Sequence, residues 1–191
     1  MAIPRSAALF AAITAIALSG CTQPNPNAAP TYTCTPSNGG TPQPCYKAEH
    51  DLQVKEDALY TEAEAVYRKF VVEEERIYRS GGIDEPSATL RDVATGDFIQ
   101  GKTITYQALK QTSTKMIGGE ITLAWIRPAP KAATPETLVT MEACLDASSA
   151  SIVTPGLETV SAGYTSDVLH FVREDGQLKI TSALGDVVDK C

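Results

Sequence analysis

The chain has 191 residues and a formal net charge of −7 at neutral pH. No run of Lys and Arg occurs, so composition excludes the basic footprint of a nucleic-acid-binding protein and polybasic attachment to lipid. The acidic residues are spread along the chain, as expected of a domain that stays away from an anionic surface.

Residues 1–20 have the pattern of a secretory signal. A single basic residue, Arg5, precedes twelve uncharged residues, 7–18, and small residues follow. This run is shorter than the roughly 20 apolar residues that a transmembrane helix needs. A buried helix and an ordinary cleaved leader are the alternatives, and the basic flank and the prolines that follow disfavour the helix.

The segment Leu18-Ser19-Gly20-Cys21 ends this run and resembles the lipobox of bacterial lipoproteins. The resemblance implies cleavage before Cys21, a diacylglyceryl group on its thiol and an acylation site at the new amino end. Two or more acyl chains attach a protein stably to a membrane. We therefore expect a signal peptide over 1–20 and a protein anchored through Cys21 to the outer face of the cell membrane.

Residues 21–46 are rich in Pro, Asn, Thr and Gly and poor in apolar residues. This composition cannot form a core and predicts a semi-extended, flexible tether, with a recognition motif as the alternative. The remaining residues, 47–191, have the usual length of one domain.

Apart from Cys21, four cysteines remain, an even number that favours disulfides outside the cytoplasm. Cys34 and Cys45 flank one Pro- and Gly-rich loop, which predicts a bridge between them and leaves Cys144 to pair with Cys191. A metal site is the alternative, but no histidine lies at ligand spacing to these thiols. We expect no metal and no cofactor.

Helices are predicted in the first half of the domain. Residues 47–82 contain helix formers and no proline, and they end at the C-cap signal Gly81-Gly82. Such a long helix is expected to break or fray at its start. Its apolar stripe consists of Leu52, Leu59, Ala63, Val66, Phe70 and Ile77. A short helix follows Pro86, and a third runs from about Asp97 to Ser113, with Phe98, Ile99, Tyr106 and Leu109 facing inward.

Strands are predicted in the second half, because the apolar period changes to two after residue 119. They extend from 121 to Pro128 and over 137–146, 151–154, 164–173 and 178–184, and Asp175-Gly176 is a hairpin signal. Helices followed by antiparallel strands predict an α+β domain with its N-terminal helices on one face of the sheet.

Four segments together resemble actinobacterial secreted lipoproteins with an NTF2-like (SnoaL-like) domain. They are AEAVYRKFV at 63–71, ATGDFI at 94–99, ACLDASSASIV at 143–153, and REDGQLKI at 173–180 with the cysteine at 191. The resemblance covers about 50–191 and implies a cone of helices in a strongly curved antiparallel sheet, with a pocket at the open end. It also supports a Cys144–Cys191 bridge. At position 178 the relatives commonly have tryptophan, and Leu178 departs from that pattern.

No nucleophile elbow, phosphate loop, dinucleotide fingerprint or HExxH motif occurs. Asp167 and Arg173 share a strand face and are candidates for a pocket mouth, with a solvated edge as the alternative. Trp125 and Tyr106 are the aromatic residues expected to line that pocket. In an enzyme Asp167 would be the base and Tyr106 a donor to an oxyanion. An exposed strand end and the lack of a partner acid argue against that role.

The outer face of the sheet is predicted to be exposed and partly apolar. It is formed by Leu138, Thr140, Val168, His170 and Val172. We expect this surface to pair with another protomer, as a homodimer, or with a partner protein.

Three hypotheses on function follow. The first is a tethered module that binds a ligand or an envelope protein, and the second is an enzyme of the ketosteroid-isomerase-like type with acid–base chemistry in the pocket. The third is an accessory subunit of a membrane complex. The lack of catalytic motifs favours the first and the third.

Overall fold

A computed structural model describes residues 31–36 and 40–191 of the protein, so the predicted signal peptide and Cys21 lie outside the described residues. The helices are α1 (Lys47–Ser80), α2 (Ala88–Val93) and α3 (Gly96–Thr112). The strands are β1 (Tyr32–Cys34), β2 (Gln43–Cys45), β3 (Lys115–Gly118), β4 (Thr122–Pro128), β5 (Val139–Asp146), β6 (Ala150–Val153), β7 (Val160–Ser161), β8 (Tyr164–Glu174) and β9 (Gln177–Val188). Helices precede most of the antiparallel strands, which confirms the predicted α+β class.

The strands form three antiparallel sheets among the described residues. β1 pairs with β2, a three-stranded sheet has the order β3-β6-β7, and a four-stranded sheet has the order β4-β5-β8-β9. The hairpin between β8 and β9 turns at Asp175-Gly176, as predicted, and both residues have positive φ. β3 and β7 were not predicted, because each is too short to show an alternating pattern.

The helix α1 is continuous over 34 residues, so the predicted break at its start does not occur. It ends at Gly81, whose φ of 82° places the C-cap in the left-handed region. Its buried side chains begin only at Ala63, and Leu52 and Val54 near its start are exposed. The first turns are instead covered by the β1–β2 hairpin.

This hairpin makes the described part of the predicted tether a folded unit rather than an extended spacer. The disulfide between Cys34 and Cys45 closes it, and Cys45 is buried. The side-chain amide of Gln53 on α1 accepts a hydrogen bond from the Thr35 backbone N–H (3.0 Å) and donates one to its carbonyl (2.8 Å). The composition of the segment does not reveal these contacts, because they depend on a neighbouring helix.

The hydrophobic core lies between the helices and the inner face of the four-stranded sheet. β5 directs Val139, Met141, Ala143 and Leu145 into it, as its alternation predicts. The largest fully buried side chains are Tyr67, Phe70, Ile77, Leu90, Tyr106, Leu169, Phe171, Leu178 and Ile180. Each such side chain contributes about 1.5–3 kcal/mol by leaving water, so this layer dominates stability.

A β-bulge between Leu123 and Trp125 reverses the alternation within β4. Leu123 pairs with the inward Leu145, but Trp125 pairs with Cys144, on the outer face. Its indole N–H donates to the carbonyl of Cys191 (3.2 Å). The predicted role of Trp125 in a pocket wall is therefore wrong, because the extra residue turns its side chain to the opposite face.

The outer face of the sheet is smaller than predicted. Thr140 and His170 are buried, contrary to prediction, because a 3₁₀ helix (Pro130–Ala132) folds over them. Nε2 of His170 lies 3.0 Å from the carbonyl oxygen of Ala132, which requires Nε2 to carry the hydrogen. Leu138 is exposed, as predicted, and Val168 and Val172 are half-buried. Pairing of two protomers through this face stays a prediction.

Both predicted disulfides are present. Cys34 is bonded to Cys45, and Cys144 to Cys191. The second bridge joins residues 47 positions apart and attaches the segment after β9 to β5.

Candidate functional site

A cavity of about 340 Å³ lies between α1, α3 and the two larger sheets. One part of its wall is apolar and is formed by Met116, Ile121, Leu145, Ala147, Ile152, Ala162 and Val187. The other part carries charge and comes from Glu74, Lys102 and Asp167. An apolar wall with a few convergent polar groups is the usual composition of a small-molecule site.

Glu74 is a buried carboxylate on the apolar face of α1. It lies one turn after Phe70 and one turn before Tyr78, and only 5% of the residue is exposed. Its Oε1 accepts hydrogen bonds from Lys102 Nζ (2.6 Å) and from Tyr106 Oη (2.9 Å). An ion pair supplemented by a neutral hydrogen-bond donor offsets the cost of burying a carboxylate.

Lys102 occupies the equivalent place on α3, one turn after Phe98 and one turn before Tyr106. Its ammonium group lies 5.1 Å from the ring centroid of Phe70 and 5.7 Å from that of Phe98. Burial lowers the pKa of Lys102, but the adjacent Glu74 carboxylate outweighs that effect and the pKa is raised overall. The ammonium group therefore stays charged.

Asp167 projects from the inner face of β8 and is half-buried in the cavity wall. Its Oδ2 accepts a hydrogen bond from Tyr67 Oη (2.7 Å). Burial raises the pKa of Asp167, although Tyr67 and the charge of Lys102 both favour the ionised form. The expected exposed strand end is wrong, because Asp167 lies in the cavity wall and Tyr67 on α1 reaches it. Tyr106, the expected oxyanion donor, donates to Glu74 instead.

The two tyrosines act as neutral donors in this cluster. Burial, followed by the charge of the adjacent carboxylate, raises the pKa of Tyr67 and of Tyr106. Both phenols therefore stay protonated and hold one carboxylate each, Asp167 and Glu74, in a fixed position.

Two of the four predicted pocket residues belong to this cluster. Asp167 lines the cavity, and Tyr106 contacts it through Glu74. Trp125 lies on the outer sheet face, and Arg173 forms an exposed ion pair with Glu62.

Glu74, Lys102 and Tyr67 were missed by the sequence analysis. The signal that was available for the first two is a charged residue in the middle of an apolar helical stripe.

A second cavity, of about 400 Å³, lies between α3 and β9 and shares Lys102, Asp167 and Gly185 with the first. Gly185 pairs directly with Asp167 across the β8–β9 ladder. A Cβ atom at position 185 would lie 2.5 Å from Asp167 Oδ1, so a side chain there would displace the carboxylate. Glycine at this position keeps Asp167 accessible.

Comparison of the chain with protein-family models, with curated proteins and with solved structures finds no match. Within residues 31–36 and 40–191, no helix has the length and apolar character needed to cross a membrane. The same ranges contain no group of three His, Cys, Asp or Glu side chains arranged to hold a metal ion. Function is therefore inferred from the cavity and its charges.

Proposed function

We propose that the protein is a membrane-anchored extracytoplasmic lipoprotein whose domain, an NTF2-like cone, binds a small molecule in its cavity. The observation that carries the binding function is the cavity of about 340 Å³, in which an apolar wall meets the cluster of Glu74, Lys102 and Asp167. Such a volume lies within the range of small-ligand pockets, about 300–1,000 Å³.

The arrangement of elements supports the cone. The helices pack on the inner face of an antiparallel sheet, and residues of both layers line the cavity. The lipobox-like segment ending at Cys21 supports the anchor and the extracytoplasmic location, which suit a chain with two disulfides.

The state of the polar cluster favours binding over a purely structural role. Glu74 is satisfied by Lys102 and Tyr106, but Asp167 accepts a single hydrogen bond among the described residues, from Tyr67. Polar groups that serve only the fold are normally fully partnered. An incompletely partnered carboxylate in a cavity wall is a group that can receive a ligand.

A second candidate function, acid–base catalysis, is favoured by one observation, the raised pKa of Asp167. A general base works best when its pKa is close to the ambient pH, and burial moves Asp167 in that direction. The fixed phenol of Tyr67 and the apolar wall would suit proton transfer at a carbon acid.

The binding function is tested by the retention of small molecules. The purified full-length protein is incubated with a metabolite extract of its host cell and examined by native mass spectrometry. Ala162→Phe places a ring in the cavity, whereas Ala58→Phe, on an exposed part of α1, is the matched control. We expect a compound that the wild type and Ala58→Phe retain and that Ala162→Phe loses.

Two results would contradict the proposal. One is that the wild type retains no compound, and the other is that Ala162→Phe retains the same compound while its thermal unfolding equals that of Ala58→Phe. Conversion of the retained compound during incubation, abolished by Asp167→Asn, would establish the enzyme instead.

A further inference from the structure

The charges in the cavity wall do not balance. Glu74 and Lys102 form an ion pair with Nζ and Oε1 2.6 Å apart, so each neutralises the other. Asp167 takes part in none of the ion pairs found among the described residues, and its one hydrogen-bond donor, Tyr67, is a neutral phenol. Asp167 therefore has no ion-pair partner in contact with it in a partly desolvated site, and the charge of Lys102 that acts on it is already paired with Glu74.

The geometry leaves one oxygen of that carboxylate available. Tyr67 binds Oδ2, whereas Oδ1 accepts no hydrogen bond in the part of the chain that the structure describes. Oδ1 faces Gly185, where a Cβ atom would approach within 2.5 Å. The missing side chain keeps the space next to Oδ1 open, and both cavities border it.

The surroundings of Oδ1 determine what can occupy that space. Next to the carboxylate, the first cavity presents an apolar wall that includes Met116, Leu145 and Ile152. An anionic ligand would meet two carboxylates, Glu74 and Asp167, and a single ammonium group that is already paired. A cation would supply the missing counter-charge.

We propose that the ligand of this cavity is an apolar molecule with one ammonium group, which donates a hydrogen bond to Asp167 Oδ1 while the apolar part lies against Met116, Leu145 and Ile152. This inference rests on the proposed binding function and adds the chemical class of the ligand. Charge-assisted hydrogen bonds of this kind are about twice as strong as neutral ones.

Three rigid probes of one shape test the charge of the ligand. They are 1-adamantanemethylamine, 1-adamantanemethanol and 1-adamantanecarboxylate, titrated into the full-length protein by calorimetry at neutral pH. We expect the amine to bind about tenfold more tightly than the alcohol, a difference of about 1.4 kcal/mol, and the carboxylate to bind most weakly.

Variants locate the ammonium group. Asp167→Asn removes the charge with little change of shape, and Gly185→Ala fills the space next to Oδ1 while it keeps the charge. We expect both to reduce the preference for amine over alcohol to about twofold or less. Asp175→Asn, in the exposed β8–β9 turn, is the charge-matched control and should keep the wild-type preference.

The outcomes separate the two proposals. Equal binding of amine and alcohol, or tightest binding of the carboxylate, would overturn the ammonium inference but leave the cavity as a binding site. A preference for the amine that survives in Asp167→Asn would also overturn it, because another group would then hold the cation. Failure of all three probes to bind overturns the inference, whereas the binding function is decided independently by the retained-compound experiment.

Discussion

Burial of Glu74 has a cost that its two partners offset. A carboxylate with 5% exposure would be strongly destabilising alone, since removing one partner of a buried ion pair typically costs about 3–5 kcal/mol. Lys102 supplies the opposite charge, and Tyr106 supplies a neutral donor to the same oxygen. The three side chains hold α1 and α3 together at the cavity and fix its charged wall.

Asp167 makes stability depend on pH in a defined direction. Burial raises its pKa in the folded protein above the ordinary value of 3.8, so the native state binds more protons than the unfolded chain in the window above that value. The free energy of unfolding contributed by Asp167 is therefore greatest at acid pH and falls as pH rises through the native pKa.

We predict that Asp167→Asn lacks this component. The free energy of unfolding of the variant, minus that of the wild type, should increase as pH rises from about 3.8 through the raised pKa of native Asp167. Above that pKa the difference should stay constant. Urea unfolding across that range measures it, with Asp175→Asn as the control that follows the wild type. A difference independent of pH, or one that grows toward acid pH, would contradict the raised pKa.

The sequence contains a signal for the burial of two charged helix residues, Glu74 and Lys102. Glu74 and Lys102 each have aromatic residues four positions before and after, so each lies within an apolar face. This pattern predicts that a charge is buried or at a cavity wall. It does not identify the partner, because the Glu74–Lys102 contact depends on how two helices pack.

At the level of elements, the two ends of α1 pack against different parts of the structure. Its 34 residues span about 50 Å, and its buried stripe begins only at Ala63. The first turns contact the disulfide-closed β1–β2 hairpin, which occupies what composition predicts to be a plain tether. The described part of the predicted tether is therefore attached to α1 by hydrogen bonds to Gln53, and this follows from tertiary contacts rather than from local propensity.

The strands show where an alternating pattern is reliable. β5 and β8 have the predicted inward faces, because the ladder between them is unbroken from Val139 to Asp146. β4 is an edge strand with a bulge. Its one additional residue places Trp125 on the outer face of the sheet instead of the predicted inner face. A bulge leaves no composition signal in this strand.

We predict that the Cys144–Cys191 bridge stabilises the domain more than the Cys34–Cys45 bridge. It closes the longer loop, 47 positions against 11, and on the chain-entropy model its loss costs about 4 kcal/mol against about 3 kcal/mol. It also holds the segment next to Trp125 against the sheet. Urea unfolding of the Cys144→Ala/Cys191→Ala and Cys34→Ala/Cys45→Ala double variants compares them.

Each double variant is the control for the other, since both remove two sulfurs and one crosslink. Equal losses, or a larger loss for the Cys34–Cys45 pair, would show that the hairpin contributes more to the fold than loop length predicts. Full reduction of the wild type should reproduce the sum of the two losses, because the bridges share no partner.

For the whole molecule, the α+β class, the positions of β4, β5, β6, β8 and β9 and the disulfides could be predicted from periodicity, turn residues and cysteine count. The cavity could not, because its wall combines side chains from both halves of the domain, such as Glu74 and Gly185, that no local pattern connects. The strand face that Asp167 shares with Arg173 led to Asp167, while the rest of the cluster depends on packing.

The proposed lipid anchor would determine where the molecule acts, and it is tested through Cys21. If the acyl chains on Cys21 hold the protein at the membrane, Cys21→Ala removes their site of attachment. The substitution should then change the location of the protein without changing the fold of its domain. We predict that the variant is released or accumulates as an uncleaved precursor. Fractionation, detergent partition and mass spectrometry of the N-terminal peptide measure this, and the Cys34→Ala/Cys45→Ala variant should stay membrane-bound. Detergent-dependent membrane attachment of a cleaved Cys21→Ala protein would refute the lipid anchor.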